Sequence, residues 1–158
     1  MASSRLLDVS RAGLQMLISA TKAAATQDAL KDTKTMTTVI EIASRSEVVE
    51  IDRCTSAILR EACQVHHEEI VANDGVELVL ERLEKFTGQN VSNHFETLEV
   101  QRNCIGILST LCQCSNGKYL AFLRQKGAGI LVGKIISSTK CERVKRSANV
   151  VAKLLKPF

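Results

Sequence analysis

The side chains most able to do chemistry here are six cysteines, at 54, 63, 104, 112, 114 and 141, and three histidines, at 66, 67 and 94. Cys63, His66 and His67 fall at i, i+3 and i+4, so a helix through them would gather all three on one face. That could begin a zinc site, yet a structural zinc needs four ligands at recognised spacing. Cys112-Gln-Cys114 is one residue short of the usual C-x2-C pair. Four of the cysteines sit at apolar or small positions of expected helices, where a free thiol behaves as a small hydrophobe. Surface histidines at a helix junction and unpaired core thiols are the expectation, with no metal. No Gly-rich phosphate loop, Ser-His-Asp order or paired-carboxylate motif is present. The chain therefore reads as a non-enzyme without a cofactor.

The elements that carry these residues show more. Val100, Cys104, Ile107, Leu108 and Leu111 keep a 3.6-residue period. Ser115-Asn116-Gly117 breaks that helix, a short one follows from Lys118 to Gln125, and Gly127 turns the chain into a third with Ile130, Leu131, Val132, Ile135 and Ile136. The unit recurs. Val100-Gln101-Arg102 aligns with Ile51-Asp52-Arg53 and with Val144-Lys145-Arg146, which brings Leu108 opposite Leu59 and Ala152. Separately, Gly75 and the apolar residues after it match Gly127 and its successors, with Gly13-Leu-Gln-Met-Leu-Ile as a third copy.

Helical units of about 40–47 residues belong to the armadillo and HEAT class. A glycine, an apolar helix and then a helix of the form V-q-r-x-(small)-x-x-(apolar)-L resembles the armadillo repeat. The resemblance covers residues 46–158, about two and a half degenerate repeats. It implies an all-α fold, an armadillo-like α-solenoid whose long third helices line a concave surface. Importin-alpha-like members hold basic peptides there with a Trp and an Asn one turn apart. Those positions fall here on Ala57, Gly106 and Val150, and on Glu61, Thr110 and Leu154. Both determinants are missing, so a shallow small-residue floor suited to a packed helix or protein surface is expected in place of an import-cargo groove.

Composition agrees with stacked helices. The chain is 45% apolar and 3% aromatic, with one proline and no tryptophan, and no period-2 run marks a strand. A single domain over 1–158 is expected, residues 1–45 forming N-terminal capping helices. The first of these runs to about Ala25 with Leu14, Leu17 and Ile18 on one side, and the second from about Thr26 to Ala43. Arg5, Arg11, Lys22 and the serines of the first segment resemble a mitochondrial transit peptide, for which Asp8 is atypical. Ser44-Arg-Ser-Glu47 matches a capping box opening the first long helix, which is expected to end at Gln64 before a short helix over Val65–Ala72. A helix from Val76 to Phe86 precedes a polar insertion around 87–95, which the repeat does not need.

Charge is segregated. Glu41 to Glu99 holds 13 acidic and 5 basic residues, and Ser115 to Phe158 holds 10 basic residues and one acid. Opposed patches steer encounter with charged partners. The leading expectation is a protein–protein interaction module, a small scaffold or adaptor subunit of a larger assembly. Its contact residues would be Glu50, Glu61, Asn103, Thr110, Arg143 and Ser147, with Arg146 and Lys153 at the basic end. The alternatives are a charge-driven binder of a polyanion (RNA, DNA, acidic tubulin tails or anionic lipid) and a mitochondrial complex accessory subunit. No apolar run reaches the ~20 residues of a membrane span. The expected setting is a reducing intracellular compartment, cytoplasm or cytoskeleton and cilium first, mitochondrion second.

Overall fold

The computed structural model describes residues 11–19, 34–87 and 95–156. Seven helices are named in order: α1 Thr35–Ser44, α2 Val49–Ala72, α3 Gly75–Lys85, α4 Phe95–Gln113, α5 Leu120–Gln125, α6 Ala128–Ser138 and α7 Glu142–Leu155. Residues 11–19 are also helical, and no strand occurs among the described residues. The fold is all-α. Residues 1–10, 20–33, 88–94 and 157–158 lie outside the described part, and with them most of the first capping helix and of the insertion.

The three long helices lie side by side. α2 packs most heavily on α4, and α4 in turn packs on α7. Asn103 meets Ser56, and Cys63 meets the Ile107 carbonyl further on, so contacts advance together along α2 and α4. Three sets of equivalent residues are buried alike. Ile51, Val100 and Val144 are all inside, as are Thr55, Cys104 and Ala148, and Ala62, Leu111 and Leu155. The middle rod is covered from both sides, so Ile105, Ile107, Leu108 and Leu111 are wholly buried. One hydrophobic core runs from Leu14 to Leu155.

Polar side chains lock the shorter helices between these rods. From α2, Asp52 accepts from Arg82 Nε at 2.8 Å and from Lys85 Nζ at 3.3 Å. Arg82 also donates to the Ala43 carbonyl in the last turn of α1 at 2.5 Å, and to the Ser46 carbonyl just beyond that helix at 3.2 Å. From the other side, Gln101 of α4 donates to the Phe86 carbonyl where α3 ends. Glu69 of α2 accepts the Thr37 N–H and hydroxyl at 3.1 and 3.0 Å. Its carboxylate therefore caps the N-terminus of α1, where the helix dipole favours an anion. Arg124 of α5 does the converse for α7, donating to the Leu155 and Lys156 carbonyls.

Two expectations need correction. The capping box does not form: α2 starts at Val49 with no side-chain cap, and Ser46 Oγ accepts from the Val48 N–H while Ser44 bonds back to Glu41. α1 begins at Thr35, after a left-handed Lys34, so no single helix runs unbroken from Thr26 to Ala43. The break expected after Gln64 falls at His66, whose non-helical φ of −106° and ψ of 20° kinks α2 into two helical pieces between Val49 and Ala72.

The glycine alignment is also displaced by one residue. Gly127, at φ 78°, occupies the left-handed position just before α6, and the same position before α3 belongs to Asp74 at φ 60°. Gly75 thus stands opposite Ala128, and both are buried. The two glycines resemble each other for different reasons. Gly127 supplies a positive φ, whereas a Cβ at Gly75 would sit 2.6 Å from the Ile70 carbonyl oxygen. In the corrected register the buried Arg82 takes the place of Ile135. Gly75→Ala should consequently cost about 1–3 kcal/mol through overpacking against backbone, measured by urea unfolding.

The thiols are internal. Cys54, Cys63, Cys104 and Cys112 are buried, Cys114 and Cys141 partly exposed, and none is paired. Burial pushes Cys63 and Cys104 up to about 12 and Cys112 to about 11, from an ordinary 9.0. A thiol whose folded value is raised keeps its full stabilising share below pH 9 and loses it as pH climbs toward those values. A thiol reagent at pH 8 should therefore modify at most Cys114 and Cys141 in the native protein, and all six cysteines after denaturation. Stability should fall between pH 9 and about 12.

Candidate functional site

The outer surface of the three rods forms the candidate site. Gly106, midway along α4, leaves room that Arg60 of α2 fills: a Cβ at Gly106 would lie 2.9 Å from Arg60 Nε. Arg60 Nη1 donates to the Asn103 amide oxygen at 3.3 Å, and Asn103 Nδ2 donates to Ser56 Oγ at 3.2 Å. The guanidinium is thus held over the glycine by a buried amide. The floor is cationic there, and not the small-residue surface expected from Ala57, Gly106 and Val150.

Two clefts meet at this point, sharing Arg60, Gly106 and Ser109. One, of about 270 Å³, reaches α7 and is lined further by Arg102, Ile105, Arg143, Ser147 and Val150. The other, of about 710 Å³, runs toward the end of α4 past Gln64, His67, Thr110 and Gln113. Together they cross α2, α4 and α7 as one polar groove.

Arg102 donates to Glu99 Oε1 at 2.7 Å, and its Nε is buried without an acceptor. At the far end, His67 Nδ1 lies 2.8 Å from the Tyr119 hydroxyl. Burial raises the Tyr119 pKa above its ordinary 10.0, so the phenol keeps its proton. Beside it, Lys118 donates to Glu68 at 2.9 Å and holds that exposed carboxyl below the usual range.

The expected contact residues separate into groups. Thr110, Arg143 and Ser147 line the groove. Asn103 is only 4% exposed and serves beneath it, so it is removed from the accessible set. Glu50 is engaged by Arg53 at 3.8 Å and by Arg11. Glu61, Arg146 and Lys153 are exposed but line neither cleft. Arg60, Arg102, Gln64 and His67 were missed. The signal for Arg60 was available: a glycine mid-helix in α4, opposite a long side chain one rod away.

Cys63, His66 and His67 do not converge. The kink sends His66 toward Glu69 Oε2 at 3.5 Å and His67 to Tyr119, while Cys63 donates weakly to the Ile107 carbonyl. Among the described residues no group of three His, Cys, Asp or Glu is placed to hold a metal ion. Part of the charge asymmetry is also satisfied internally, since Lys118 meets Glu68 and Lys126 meets Glu77 at 2.5 Å. Among the described residues no helix is long and apolar enough to cross a membrane.

No family model, no curated protein and no solved structure matches the chain. The reading of function rests on the groove itself.

Proposed function

We propose that this chain is a non-catalytic protein–protein interaction module, an armadillo-like α-solenoid that serves as a small scaffold or adaptor subunit of a larger assembly. Its groove and the basic outer side of α7 meet the partner. The observation that carries this reading is the groove crossing three equivalent rods: an extended, open, polar surface built by repetition. Arg143, Arg146 and Lys153, all exposed on α7, extend its basic end. Aligned burial of α2, α4 and α7 supports the repeat reading, and the shared core supports one domain.

Purification of the tagged protein from its own cells tests the proposal. A stable multi-subunit complex is expected, surviving from ~50 to ~200 mM salt, whereas polyanion binding would weaken steeply over that range. A chain that runs alone at physiological concentration would contradict the adaptor role.

A further inference from the structure

We propose that the cleft between α4 and α7 receives carboxylates from an acidic segment of a protein partner, recognised by Arg60, Arg102 and Arg143; this rests on the interaction-module reading above. Three helices each contribute one guanidinium to the lining of a space of about 270 Å³, and no carboxylate lines it. The Arg143 guanidinium has no hydrogen-bond or ion-pair partner among the described residues; only its backbone carbonyl is engaged, by the Ser147 hydroxyl. Arg60 donates to a neutral amide at 3.3 Å. Arg102 already holds one carboxylate, that of Glu99, and retains a buried Nε without an acceptor. Planar guanidinium forks match carboxylates in two-bond geometry and cannot be neutralised by deprotonation.

The rest of the lining favours peptide over nucleic acid. Val150, 50% exposed, places apolar carbon beside the arginines. Gln64, Thr110 and Gln113 line the adjoining cleft with amides and a hydroxyl, groups able to pair with a peptide backbone. No phenylalanine, tyrosine or tryptophan lines either space. Single-stranded nucleic acid normally needs such rings for stacking. An acidic segment with interspersed apolar side chains fits this surface. The exposed Arg146 and Lys153 on α7 would add long-range attraction.

The test is fluorescence anisotropy with labelled octaglutamate, and with labelled octathymidylate, on the full chain at ~50 mM salt. Octaglutamate should bind. Arg60→Gln with Arg143→Gln should weaken it at least about tenfold, equivalent to ~1.4 kcal/mol. Lys134→Gln with Lys140→Gln removes the same charge from residues that line neither cleft, and should change affinity less than about twofold. Arg60→Gln also touches Asn103, so Arg143→Gln alone provides the second variant, with an expected loss of about threefold and unchanged helicity. Three results would overturn the inference: no octaglutamate binding, equal loss in the lysine control, or tighter octathymidylate binding that the arginine variants abolish. A chain that co-purifies with its assembly yet ignores octaglutamate fails here and leaves the adaptor reading standing. Binding of octaglutamate by a chain that runs alone does the reverse.

Discussion

Arg82→Met is expected to destabilise the fold by about 3–5 kcal/mol, because removing one partner of a buried ion pair leaves the other charge uncompensated. The Asp52 carboxylate is inaccessible and the Arg82 side chain only 6% exposed. Methionine preserves much of the volume but withdraws donors from Asp52 and from the Ala43 and Ser46 carbonyls. Lys85, at 3.3 Å from Asp52, keeps the loss from being larger. Asp52→Asn added to Arg82→Met should recover more than about 1 kcal/mol, since the stranded charge is then gone. Chemical denaturation of the four members of the cycle measures this.

The pH dependence has a definite sign. Burial raises the Asp52 pKa above its ordinary 3.8, while Arg82 and Lys85 pull it down. Without Arg82 it rises further. A carboxyl raised in the folded state is stabilising below its unfolded value, and that share is lost as pH rises through the folded value. The deficit of Arg82→Met should therefore be smaller at pH 4 than at pH 7. A deficit that is largest in acid would show that Asp52 is not the stranded group.

Leu108→Ala is the second large effect, about 2–5 kcal/mol. Leu108 is wholly buried on the middle rod, between α2 and α7, so the lost side chain leaves a cavity that neither neighbour can easily close. Its equivalent on α7 is Ala152, only half-buried. Ala152→Gly should cost about 1 kcal/mol, the helix-propensity difference alone. Equal losses at the two sites would mean that α4 is not the inner rod of the stack.

What could be read from the sequence was the part set by apolar periodicity. The three long helices and their mutual register follow from Val100, Leu108 and Leu111 and their equivalents, because burial on a rod repeats with the helix turn. Local chemistry was harder to see. Ser44-Arg-Ser-Glu47 has the composition of a capping box, but Ser46 instead bonds its own neighbour and α2 starts later. Gly75 and Gly127 share a letter while answering different demands, close packing in one case and a left-handed backbone in the other. Arg82 was invisible as a core residue, since its partner Asp52 lies thirty positions away and a lone arginine in an apolar helix reads as exposed.

The candidate site was legible only along its rim. Thr110, Arg143 and Ser147 follow from the face that the repeat leaves outward. Asn103 does not, because its amide is pulled inward by Ser56 and Arg60 across the α2–α4 junction. Gly106 suggested an empty floor, yet the space it opens is taken by a side chain from the preceding rod. Pairings across rods depend on where long side chains reach, and no spacing rule within one helix encodes that.

Hydrogen exchange on the chain, free and within its purified assembly, tests the central claim most directly. Binding through the groove predicts slower exchange on assembly along the middle turns of α4 around Gly106 and the first turns of α7 around Arg143. Protection confined to α1, α3 or α6, with those segments unchanged, would contradict it.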